Sequence, residues 1–244
     1  MSHQARHALH DLAPTGRLRA TINLGNPVLA QRDAATGELG GVSVALARAL
    51  ARQIGVDAEL HPFDTAGAAF AALRDGACDI GFLAIDPARA AELDFTAPYV
   101  VIEGTYLVPA DSAFDTVEAV DSPGVRIAAG KNSAYELHLS RSLRHATLVH
   151  APSSKDAIAL LLDGGVDVVA GVRQPLAAIA AGQPGFRVLE GRFMEIRQAM
   201  TLPKGRPVGA ALLHGFVEAM KESGFVADAL ARSGQGEATV APPG

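Results

Sequence analysis

The sequence predicts an α/β fold built from two similar lobes, each an open sheet with helices on its faces. Three observations carry this. Short apolar strands alternate with amphipathic helices along most of the 244 residues. The pattern runs β-α-β-α-β and then starts again, as parallel sheets covered by helices require. Two segments, RDGACDIGFLAI (74–85) and LDGGVDVVAGV (162–172), share one design: a helix ending in Asp-Gly, then an Asp leading an apolar strand.

In chain order, RLRATINL (17–24) alternates as a strand and meets a Gly-Asn-Pro loop, while ATGELGG (35–41) reads as a turn. VSVALARALARQIG (42–55) has helical spacing and stops at Gly55, a residue that tolerates the left-handed helix end. VDAELHPF (56–63) is a strand, AGAAFAALRDG (66–76) a helix, and CDIGFLAI (78–85) a strand apolar on both faces. Asp86 and Pro87 then form a helix start, with Asp as cap and Pro at the first position. That places Arg89 in the first turn, where a cation sits badly against the positive end of the helix dipole. Either it points into water or an anion compensates it.

After TAPYVVIEGTYLV (96–108) the second round begins. VRIAAG (125–130), ATLVHA (146–151) and VDVVAGV (166–172) read as strands; NSAYELHLSRSL (132–143) and SSKDAIALLLDGG (153–165) read as helices. RFMEIRQAMTLP (192–203) is extended, 207–224 and 226–234 are helices, and GEATVAPPG reads as a frayed end.

Composition narrows the function. A net charge of −5 and an absence of Trp give no footing for nucleic-acid binding. No stretch approaches about 20 uninterrupted apolar residues, so no membrane span is expected. The single cysteine, Cys78, lies in an apolar strand and reads as a buried thiol. No His or Cys spacing suggests a metal, and no cofactor motif is present. The N-terminal MSHQARHALHDLAPTG lacks an apolar core, so it does not read as a secretory signal; were Met1 the native start, the compartment would be the cytoplasm.

The ordered set GELGGVSVALA (37–47), LRDGACDI (73–80), DPAR (86–89), DFTAPY (94–99), GKNSAYEL (130–137), VDVVA (166–170) and GFVEAMKESG (215–224) resembles the extracellular solute-binding proteins of family 3. The resemblance covers nearly the whole chain. It implies the type II periplasmic-binding-protein fold: two Rossmann-like lobes with open sheets, joined by two hinge strands. Lobe 1 would be 1–99 plus 197–244, and lobe 2 would be 100–196. It further implies a monomer that captures a small ligand between its lobes, with an ABC-transporter permease as partner, in the periplasm.

By that resemblance Arg89 matches the arginine that clamps a ligand carboxylate, a role that suits a guanidinium fork. Asn26, Phe82, Ala84, Asn132 and Ser133 fall at the strand ends and helix starts where such ligands lie. Two positions depart from the family pattern: Ala84 stands for a hydroxyl residue, and Gly171, followed by Val172 and Arg173, stands where an Asp helps hold an ammonium group. An ammonium desolvated without an anion is costly. The expected ligand is therefore a carboxylic acid rather than an ordinary α-amino acid, with Arg173 near a second carboxylate. Glu103 and Arg197 are expected to pair across the hinge strands. The alternative is an enzyme or sensor on the same fold, with Glu103 or Glu195 as a raised-pKa acid or base.

Overall fold

The structure, a computed structural model, describes residues 3–244. The chain divides into two compact units: unit 1 is Met1–Val101 with Arg197–Gly244, and unit 2 is Ile102–Ile196. The first break falls two residues beyond the one expected between 99 and 100. Both crossings lie inside long strands, β6 (Leu93–Pro109) and β11 (Met194–Pro203).

Unit 1 opens with α1 (His3–Leu12), an element not expected from the sequence. Its Leu12 is fully buried, and its Asp11 carboxylate accepts the amides of Val208 and Gly209 at 3.1 and 2.9 Å. Those amides open α8 (Pro207–Glu222), so a residue 197 positions before Val208 supplies that helix's cap. Strand β1 (Arg17–Asn23) is followed by a small hairpin, β2 (Gln31–Arg32) and β3 (Leu39–Gly40), then by α2 (Val42–Ile54) and β4 (Asp57–Phe63). β1 and β4 run parallel, in register from Arg17↔Asp57 to Asn23↔Phe63. Gly55 closes α2 at φ 76°, the left-handed conformation its sequence position implied. Next come α3 (Ala66–Arg74), capped by Thr65, the buried strand β5 (Gly81–Ala84), and the single turn α4 (Pro87–Ala90).

β5 joins β1 through an Ala20↔Ile80 bridge and pairs antiparallel with β11, from Ala84↔Gln198 to Gly81↔Thr201. Cys78 is buried in the cluster of Ala69, Leu73, Leu83 and Leu93, and burial pushes its thiol up to about 11.

Unit 2 holds a short 3-10 turn at Glu118–Val120, then β7 (Arg126–Gly130), α5 (Ala134–Ser142), β8 (Thr147–Ala151) and α6 (Ser154–Leu162). β9 (Val168–Val172), α7 (Arg173–Gly182) and β10 (Phe186–Val188) follow. β7 runs parallel to both β8 and β9, while β6 pairs antiparallel with β9 and β10. Leu107, Ala128, Leu161, Val169 and Leu176 form the core. The sheets are thus parallel where strand–helix–strand units build them and antiparallel where the long crossing strands join.

The expected frayed end is instead ordered. After α9 (Phe225–Arg232), β12 (Thr239–Val240) pairs antiparallel with β6 at Val101 and Val100. Lys221 of α8 donates to the Pro98 and Pro242 carbonyls at 3.2 and 2.8 Å, and Ala238 and Ala241 are buried. A neighbouring strand edge, invisible in local sequence, supplies the partner groups.

Candidate functional site

The chemistry expected of Arg89 depends on where its side chain goes. Asp86 caps α4 by accepting the Ala88 amide at 2.8 Å, and Pro87 follows it. From this single turn Arg89 folds back over the carboxyl end of β5, where its Nη1 donates to the Ala84 carbonyl at 3.1 Å. Only 3 % of Arg89 is exposed, so the reading of a solvent-pointing arginine fails. The last β5 carbonyl is thus one acceptor for the Arg89 guanidinium.

The other expected residues of unit 1 are Ala84 and Phe82 in β5 and Asn26 in the loop after β1. Asn26 is buried; its Oδ1 accepts the Val28 amide at 3.3 Å and its carbonyl accepts from Leu29 and Ala30. Gly25 allows this loop to pass close to Asp64, whose carbonyl oxygen would lie 2.5 Å from an added Cβ. Phe82 packs edge-on against Tyr99, with ring centroids 6.2 Å apart. The Tyr99 hydroxyl meets Ser43 Oγ at 3.3 Å, and burial pushes the phenol's pKa far up.

In unit 2 the start of α5 is elaborate. Ser133 caps it by accepting the Glu136 amide at 3.1 Å. Glu136 Oε2 accepts the Asn132 amide at 2.9 Å, and Asn132 adopts φ 59° to make that turn. The Ser133 amide binds the Gly130 carbonyl at 3.1 Å. Sequence reading expected this helix start to offer its amides to a ligand anion. The chain commits the amides of Asn132, Ser133 and Glu136 to itself, so Glu136 occupies part of that role. Glu136 is buried and also accepts from Ser140 at 3.0 Å and meets His150 Nδ1 at 2.9 Å. The Ser-x-x-Glu spacing was the available signal for it.

Arg173 opens α7, and its Nε donates to Glu103 Oε2 at 2.6 Å. Its remaining nitrogens reach the Leu189 and Gly191 carbonyls. Arg192 holds the other Glu103 oxygen at 2.9 Å and also meets Glu195 at 2.8 Å. The expected Glu103–Arg197 pair is therefore replaced by a chain of Arg173, Glu103, Arg192 and Glu195. Hydrogen bonds from Arg173 and Arg192 hold the Glu103 carboxyl below its usual range. That is opposite to the direction a neutral-pH general acid needs. Arg192 was missed because its loop carries no periodic pattern. Among the described residues no group of three or more His, Cys, Asp or Glu could hold a metal ion, and no helix is long and apolar enough to cross a membrane.

Two α/β units linked by strand crossings in β6 and β11, with a buried arginine at a strand end, define a type II periplasmic binding protein. The chain belongs to the bacterial extracellular solute-binding proteins, family 3, whose model matches residues 19–233. It is 29% identical over 184 residues to the virulence sensor protein BvgS of Bordetella pertussis, covering 75% of this chain and 14% of that protein. The chain therefore spans about a seventh of that relative's length. Its fold matches the amino acid ABC transporter substrate-binding protein AbpA of Streptococcus pneumoniae, bound to L-arginine, with a TM-score of 0.79, 20% identity, and coverage of 91% of this chain and 96% of that one. The ancestral amino acid-binding protein AncCDT-1, a precursor of cyclohexadienyl dehydratase, matches with a TM-score of 0.76 and 25% identity, covering 92% and 97%.

Proposed function

We propose that this solute-binding protein captures a small organic acid, with Arg89 as its carboxylate clamp, and delivers it to an ABC-type permease. The observation that carries this reading is the buried Arg89 guanidinium, oriented by the Ala84 carbonyl at the end of β5. A guanidinium held at a strand end can present two parallel N–H groups to a ligand carboxylate, the geometry such a clamp uses.

The preference for an acid over an α-amino acid rests on the lack of an ammonium holder. Ala84 and Gly171 offer no side-chain acceptor. Glu103, the carboxylate on the strand beside Gly171 and Val172, is already held by two arginines. Arg173, earlier assigned to a second carboxylate, already has an internal one, so Arg89 bears the proposal alone. The ligands named for AbpA and AncCDT-1 are amino acids, which makes those compounds the competing set.

Thermal-shift and calorimetric titration of small mono- and dicarboxylic acids against a panel of amino acids tests both parts. Organic acids should raise the melting temperature by mass action while amino acids do not. Arg89→Ala should weaken binding about a hundred-fold, the worth of a lost charged bidentate contact. Shifts from amino acids alone would overturn the ligand class, and unchanged affinity in Arg89→Ala would remove the clamp.

The likeness to BvgS supports a second reading, in which the same binding event serves a sensor. Fusing this chain to the output region of a BvgS-type sensor, with output read on adding the organic acid, separates sensing from uptake.

A further inference from the structure

The described arginines fall into two groups. Arg19, Arg74, Arg126, Arg173 and Arg192 hold carboxylates. Arg187 holds main-chain carbonyls, and Arg206 does so beside Asp79. By contrast, the side chains of Arg17, Arg48, Arg52, Arg144, Arg197 and Arg232 have neither a hydrogen bond nor an ion pair among the described residues. All six are exposed, and four of them, Arg17, Arg48, Arg52 and Arg232, border one side of unit 1.

They line two adjoining grooves. One, of about 400 Å³, lies among the β2–β3 hairpin, α2 and the end of α9, and takes Arg32, Arg48 and Arg232. The other, of about 440 Å³, lies where α2 meets the starts of β1 and β4, and takes Arg17, Arg48 and Arg52. Arg48 belongs to both. The acids in these linings are Asp33, Glu38 and Asp57. Asp33 is turned onto its own loop, accepting the Ala35 and Thr36 amides at 2.9 and 2.7 Å. Five arginines thus face three acids on a chain whose net charge is −5. Such a positive band on a negative molecule attracts and orients an anionic partner.

We propose that this α2 ridge docks an extended acidic segment of a partner protein, one carrying carboxylates at alternate positions. Arg48 and Arg52 are one turn apart, a rise of about 6 Å. Alternate residues of an extended chain are about 6.6 Å apart. A strand-like segment therefore presents successive carboxylates to Arg48 and Arg52 while its ends reach Arg17 and Arg232. A single small anion in one groove would leave the cations of the other unmatched. The ridge is distinct from Arg89, so this surface serves the proposed capture function without depending on it.

The test is fluorescence anisotropy of the full chain with a labelled peptide of alternating Glu and Ser, at about 50 mM salt where surface charge is weakly screened. Binding should appear, fall with added salt, and be absent for the Gln-Ser version. Arg48→Glu/Arg52→Glu should weaken it at least ten-fold, and Arg48→Gln/Arg232→Gln should weaken it less. Circular dichroism melts and the organic-acid response of both variants should match the parent, which separates failure here from failure at Arg89. Equal peptide affinity in both variants, or no binding at low salt, overturns the proposal. So does tighter binding of citrate or pyrophosphate that expels the peptide, which would make this a small-anion site. Self-association that the same substitutions abolish would overturn it in favour of a second copy.

Discussion

Units 1 and 2 use the same staple in different surroundings. In unit 1, Asp79 accepts the Arg19 amide at 3.1 Å, its Nε at 3.0 Å and its Nη2 at 2.7 Å, and Arg19 also reaches the Gly76 carbonyl. In unit 2, Asp167 accepts the Arg126 amide at 2.8 Å and its Nε and Nη2 at 3.2 Å each, and Arg126 reaches the Gly165 carbonyl. Each staple ties a parallel strand, β1 or β7, to the Asp-Gly-x-x-Asp segment between helix and strand. The Asp79 side chain is fully buried, whereas that of Asp167 is 41% exposed. One geometry is thus structural glue in unit 1 and a solvated clip in unit 2. A repeated motif therefore does not carry a repeated energy.

The largest expected effect follows from that burial. Asp79→Ala should cost about 3 kcal/mol, because it leaves Arg19 and the nearby Arg206 without their buried anion. Asp167→Ala should cost under about 1 kcal/mol, since water replaces the lost partner. Urea unfolding of both variants measures the contrast, and equal losses would break it.

A second expectation concerns the strand that follows each staple. Gly81 in β5 occupies the position that Val169 holds in β9. A Cβ at Gly81 would lie 2.4 Å from Leu73 Cδ1 and 2.7 Å from Thr21 Oγ1. Gly81→Ala should therefore destabilise by about 1–3 kcal/mol through overpacking. A melting temperature at or above the parent's would show that Leu73 repacks freely.

The helix caps should be closer to equal. Thr65 accepts the Ala68 amide at α3, and Ser153 accepts the Asp156 amide at α6, both at 3.2 Å. Alanine at either should cost about 1 kcal/mol, and the two losses should add in the double variant.

The smallest effect is in acid. Hydrogen bonds from the Arg126 side chain hold the Asp167 pKa below its ordinary value. A depressed carboxyl adds stability above its unfolded pKa and loses it as pH falls through the folded value. The gap between parent and Asp167→Asn should therefore be present at pH 6 and shrink below about pH 4. A gap that stays constant in acid would place the contribution in geometry rather than charge.

Much of this was legible locally. Asp86-Pro87, Gly55 and Ser133 announced helix ends because capping is decided within four residues. The paired Asp-Gly-x-x-Asp segments announced two lobes because the register from helix to strand is short. What stayed hidden involved partners far apart in the chain. The cap that Asp11 gives to α8, the edge that receives Thr239–Val240, and the choice of Arg173 and Arg192 over Arg197 for Glu103 all belong to this class.

Local sequence set most of the alternation of strands and helices, several helix ends, and the presence of an arginine at an awkward helix start. Tertiary structure alone decided what that arginine does. Burial and the Ala84 carbonyl turn it inward, because a guanidinium five residues past a strand end has reach enough for either water or backbone. The same holds for the two staples: sequence supplied the ions, and only packing, which sets how much water remains, decided what each is worth.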